Sequence, residues 1–130
     1  MTNSGIAKIT AETAAGIAAR YIAAWNETDA TNRQTLIAET FTTDARYVDP
    51  MVVCEGGHQG INAMIGAVQQ KYAGLNFALR GQQDGHNDVV RFSWALGQPQ
   101  NEPIACRTDV VVIAADGRIK SVTGFLDVLS

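Results

Sequence analysis

The chain has 130 residues, enough for one domain that buries a core without disulfides or metal. Hydrophobic residues make up 46% and charged residues 18%, which excludes a disordered chain. The formal net charge is −3 and no run of Lys or Arg occurs, so no nucleic acid and no membrane is expected as a partner; no apolar run reaches the roughly 20 residues of a membrane helix.

Residues 1–9 read as a leader and residues 10–130 as a single domain. Thr10 suits a helix cap, and Glu12 places a negative charge in the first turn. Ala14, Ala18, Tyr21 and Trp25 share one helical face, which predicts a helix to about Asn26 with Tyr21 turned to the interior. A second, shorter helix starts at Asp29 or Thr31 and turns Leu36 and Ile37 inward. Residues 42–44 read as a loop. Within the stretch from Ala45 to Met51, a short alternating run reads as a strand that ends in Asp49, with Pro50 stopping regular pairing behind it. A carboxylate there is held on a rigid element and need not face bulk water, which suits a general base.

Residues 51–59 read as a connection containing Gly56-Gly57. Gly60 to Tyr72 reads as a third helix with Ile61, Met64, Ile65 and Val68 on one side, and Gly74 stops it. Strands are predicted over 75–83, 89–96, 104–114 and 118–129, with turn chemistry at 84–88 and at Asp116-Gly117. Helices followed by antiparallel strands define the α+β class. A meander of this length curls. The expected fold is therefore a cone: a curved, mostly antiparallel sheet wrapped around three helices, with a pocket between them. Cys54 and Cys106 lack CxxC spacing and no signal-peptide pattern is present, so the expected setting is reducing and cytoplasmic with free thiols.

This element order resembles the nuclear transport factor 2-like superfamily, in its SnoaL-like and ketosteroid isomerase-like branch, from Thr10 to Leu129. The residues that carry the resemblance are Arg20-Tyr21-Ile22, Asp44-Ala45 leading to Asp49-Pro50, Gly60, Asp109-Val110 and Gly117-Arg118-Ile119. It implies a cystatin-like α+β roll, no cofactor and no metal, a small hydrophobic ligand, and homodimers formed sheet to sheet. By similarity to ketosteroid isomerase, Asp49 would remove a proton next to a ketone and return it at a different carbon. Tyr21 and a protonated Asp109 would hold the dienolate oxygen. Trp25, Met51, Met64, Phe92, Trp94, Arg107 and Phe125 make up the expected substrate-binding set.

Three features depart from that pattern. Val68 stands where the family has a second tyrosine. Arg107 is two residues from Asp109, hence on the same strand face, and a pair between them would hold Asp109 ionised. Glu55 and His58 make the rim after Pro50 more polar than a steroid slot prefers. Arg107-x-Asp109 is also similar to limonene epoxide hydrolase, in which Asp and Arg position a water.

Each site residue has a plainer reading. Asp49 is a turn cap, Tyr21 a core tyrosine, and Arg107 with Asp109 a structural ion pair. His58 and His86 lack metal-ligand spacing and read as loop residues. Three functions follow. One is a cofactor-independent isomerase or polyketide-type cyclase with Asp49 or Asp109 as acid–base. The second is a non-catalytic binder using the same cavity, and the third a structural dimerisation module.

Overall fold

The computed structural model describes residues 11–98 and 100–127. The predicted leader and the Thr10 cap lie outside the described residues. Helix α1 (Ala11–Asn26) buries Ala14, Ala18, Tyr21 and Trp25 as its spacing predicts, with Ile17 and Ile22 beside them. Helix α2 (Ala30–Thr40) starts on Asp29, whose carboxylate accepts the Asn32 N–H at 2.9 Å, and it buries Ile37.

Strand β1 (Phe41–Asp49) follows α2 directly, so residues 42–44 are strand and not loop. Phe41 is fully buried and pairs with Ile119, which fixes the strand start. The ladder is irregular between Phe41 and Arg46, where the polar Thr42-Thr43-Asp44 run falls. The 51–59 connection holds a short strand, β2 (Val52–Cys54), folded back antiparallel on β1 with Asp49 opposite Val52. Helix α3 (Gly57–Lys71) opens before the predicted Gly60. Gly57 has φ +63°, and a Cβ there would lie 2.5 Å from the Thr43 carbonyl oxygen, so the helix start needs glycine.

Four further strands follow among the described residues: β3 (Asn76–His86), β4 (Val89–Gly97), β5 (Ala105–Ile113) and β6 (Ile119–Leu126). The sheet order is β2-β1-β6-β5-β4-β3, and every neighbouring pair is antiparallel except β1 with β6. Helix α1 packs on β3 and α3 on β1, which gives the expected α+β cone around an open, curved sheet. Alternation along each strand decides which residues face the helices. On β1 they are Tyr47 and Asp49, on β4 Phe92 and Trp94, on β5 Arg107 and Asp109, and on β6 Val122 and Gly124. No helix among the described residues is long and apolar enough to cross a membrane.

Candidate active site

Asp109 lies at the centre of the concave face and is wholly buried. Its Oδ2 accepts the Tyr21 hydroxyl at 2.6 Å and the Trp94 indole N–H at 2.9 Å, while its Oδ1 has no partner among the described residues. The register places Phe92 opposite Asp109 and Trp94 opposite Arg107, and Tyr21 packs edge-on to Phe92 at 5.0 Å. Burial raises the Asp109 pKa; the Tyr21 and Trp94 hydrogen bonds and the Arg107 charge oppose this without cancelling it. Burial, followed by the neighbouring Asp109 charge, holds the Tyr21 phenol well above its ordinary value, so it stays a donor.

Asp49 is built in the opposite way. Its Oδ1 accepts the backbone N–H groups of Met51 at 2.8 Å and Val52 at 3.0 Å, so it does cap the turn at Pro50. Its Oδ2 accepts the Tyr47 hydroxyl at 2.6 Å and an ion-paired Nη2 of Arg107. Burial disfavours the charge, but the bonds from Tyr47, the Met51 N–H and Arg107 together outweigh it and lower the Asp49 pKa. The side chains of Asp49 and Arg107 are 7% and 12% exposed, whereas Tyr21, Tyr47 and Asp109 are 0–1% exposed. Asp49 and Arg107 are therefore the less deeply buried members of the cluster. Arg107 also lies over the Trp94 ring, with Cζ 5.5 Å from its centroid.

The structure thus brings together Tyr21, Asp49, Arg107, Asp109 and Trp94 from the expected set. The guanidinium goes to Asp49 and not to Asp109, although Arg107 and Asp109 share a strand face. Trp25 and Phe92 are buried within the same aromatic cluster, with the Trp25 ring 6.0 Å from Tyr47 and 6.1 Å from Trp94. Met64 and Val68 are half-buried and pack against the core. Met51 and Phe125 do not join the site. Met51 is 69% exposed and gives Asp49 only its backbone, and Phe125 is 53% exposed on the face opposite Gly124. Glu55 pairs with Arg46 at the surface, and His58 donates to the Phe41 carbonyl at 2.8 Å. Clefts of about 640 Å³ beside Ile17 and Arg118, and of about 450 Å³ beside Trp25 and Tyr72, open elsewhere.

Tyr47 is a site residue the sequence reading missed. Its signal was the two-residue spacing to Asp49, which puts both on one strand face. Three buried polar atoms around Trp94 have no partner among the described residues: Asp109 Oδ1, Arg107 Nε and Trp25 Nε1. Replacing Tyr21 by Phe removes one of the two bonds to Asp109 Oδ2. That variant is expected to lose about 1–3 kcal/mol of stability and to raise the Asp109 midpoint further, read by carboxyl-carbon NMR titration. An unmoved midpoint would show that the Tyr21 bond does not set the charge of Asp109.

The α+β cone is the nuclear transport factor 2-like fold. No protein-family model and no curated protein matches the chain. Among solved structures, it is similar to a SnoaL-like family protein from Agrobacterium tumefaciens str. C58, provisionally designated an isomerase. That match has 45% identity, covers 90% of this chain and 99% of that one, and has a TM-score of 0.85. A SnoaL-like protein of unknown function from Burkholderia thailandensis E264 matches at 15% identity, over 94% and 100% of the two chains, with a TM-score of 0.72. A provisionally designated SnoaL-like polyketide cyclase from Jannaschia sp. CCS1 matches at 15% identity, over 89% and 86%, with a TM-score of 0.68. The last two show the fold. The chain belongs to the SnoaL-like family.

Proposed function

We propose that this protein is a cofactor-independent acid–base enzyme that moves a proton next to the carbonyl group of a small hydrophobic compound, as an isomerase or a cyclase. The observation that carries this reading is the set of three unpartnered buried atoms around Trp94. Buried polar groups without partners are uncommon and call for an explanation. Here they are one acceptor, Asp109 Oδ1, and two donors, Arg107 Nε–H and Trp25 Nε1–H. A carboxylate and N–H donors grouped around one indole ring are the kinds of group that enolate formation and stabilisation of its oxygen require.

The resemblance to ketosteroid isomerase gives the base role to Asp49. The environments of the two carboxyls favour Asp109, because a stronger proton affinity makes the better base. Burial raises that of Asp109, whereas four donors hold Asp49 ionised. In this reading, ionised Asp109 takes a proton from the carbon next to the carbonyl. The electron pair moves to the carbonyl oxygen, which the donors hold, and neutral Asp109 returns the proton at another carbon. Asp49 balances the Arg107 charge. That pairing leaves the pocket close to neutral when Asp109 is protonated, which suits an uncharged ketone better than a carboxylate or phosphate.

The test is an ultraviolet assay for conversion of a β,γ-unsaturated ketosteroid to its conjugated isomer, with Asp49→Asn alongside. Wild type is expected to convert it. Asp49→Asn is expected to keep measurable turnover with a pH profile displaced downward, because the released Arg107 then favours ionised Asp109. Abolished turnover in a folded Asp49→Asn would return the base role to Asp49. No conversion by wild type would discard the isomerase reading for this substrate and favour a binding cavity.

A further inference from the structure

Gly124 lies on β6, between β1, which carries Asp49, and β5, which carries Arg107 and Asp109. It is buried and sits directly opposite Asp109 in the ladder. Its φ is not in the left-handed region, so backbone freedom does not call for glycine here. Space does. A Cβ at this position would lie 2.8 Å from Asp109 Oδ1, 3.3 Å from Asp49 Cβ and 3.6 Å from Arg107 Nη2. One bare position therefore touches all three charged members of the cluster.

Strands two apart in a sheet are separated by roughly 10 Å. Arg107 and Asp49 can pair only because the guanidinium crosses over β6, and it crosses at Gly124. We propose that Gly124 is a positioning residue: its missing side chain lets Arg107 reach Asp49 across β6 and leaves Asp109 Oδ1 the space it occupies. The consequence for turnover rests on the reading of Asp109 as the proton carrier. The arrangement itself is testable without any activity.

The first test is a double-mutant cycle in urea with Gly124→Ala, Asp109→Ala and the double variant. Gly124→Ala is expected to lower the unfolding midpoint in the wild-type background but not in Asp109→Ala, where the atom it would strike is gone. A Gly124→Ala chain that does not fold, beside a double variant that does, gives the same support. An equal loss in both backgrounds, or a double variant that is unfolded while Asp109→Ala folds, would overturn the proposal.

The second test separates positioning from plain packing. Carboxyl-carbon NMR should show the Asp109 midpoint raised in Gly124→Ala, because the methyl group covers Oδ1 and displaces the carboxyl from its donors. A folded Gly124→Ala with an unmoved Asp109 midpoint would also overturn it. If both tests succeed and wild type turns over no β,γ-unsaturated ketone, the acid–base reading fails while the positioning role of Gly124 stands.

Discussion

Asp109→Asn is expected to reduce turnover of a β,γ-unsaturated ketone by about 10²–10⁴-fold while leaving the urea midpoint at pH 7–8 equal to or above that of wild type. The amide keeps an oxygen to accept from Tyr21 and Trp94 but cannot carry the proton, and it removes a charge from a wholly buried position. The sign of the pH dependence follows from linkage. The folded pKa of Asp109 is raised by burial, so the folded state binds more protons than the unfolded state. Its contribution to stability is full below the unfolded value of about 3.9 and is lost as pH rises through the folded value. Wild-type stability should fall across that window, and the variant should lack this fall. A variant less stable than wild type by more than about 1 kcal/mol at neutral pH would mean that the ionised carboxylate holds the fold together.

Arg107→Ala is expected to cost about 3 kcal/mol at pH 7, near the lower end for breaking a buried ion pair. The lower end applies because Asp49 keeps the Tyr47 hydroxyl and two backbone N–H bonds. The folded pKa of Asp49 is depressed, so its stabilising contribution is present above the unfolded value and is lost as pH falls through the folded value. Without Arg107 that folded value moves up. The gap between wild type and variant should therefore narrow below about pH 4, measured as urea midpoints at pH 3 and pH 7. The Asp109 midpoint should rise as well, since the Arg107 charge lowers it. A gap that is the same at both pH values would assign the loss to packing of the guanidinium on Trp94.

The fold was readable because its signals are local. The α1 stripe, the Pro50 stop and the strand alternation each need only a few neighbouring residues to interpret. The errors fell where tertiary pairing overrides local chemistry. Thr42-Thr43-Asp44 looks like a loop but lies on an irregular part of the β1–β6 ladder, and β2 is a three-residue strand made by folding back on β1. The site was legible as a set of residues but not as a set of bonds. Period-two spacing put Arg107 beside Asp109, yet the partner of Arg107 is set by β6 lying between β5 and β1, a matter of strand order. Tyr47 was within reach of the same alternation argument. Gly124 was not, because its role is defined by side chains on two other strands.

The parallel pairing of β1 with β6 has a consequence for how the molecule is made. Phe41 meets Ile119 and Val48 meets Thr123, so early and late segments of the chain form the middle of the sheet. During synthesis, β1 carries Asp49 out of the ribosome long before its neighbour exists, and β5 carries Asp109 with one edge still open. Long-range parallel closure of this kind is slow and leaves strand edges unpaired meanwhile. The two carboxylates come into register only when β6 slots between them. Placing β6 thus assembles the site, and a truncated product lacking β6 should expose two sheet edges and carry no coupled carboxylates.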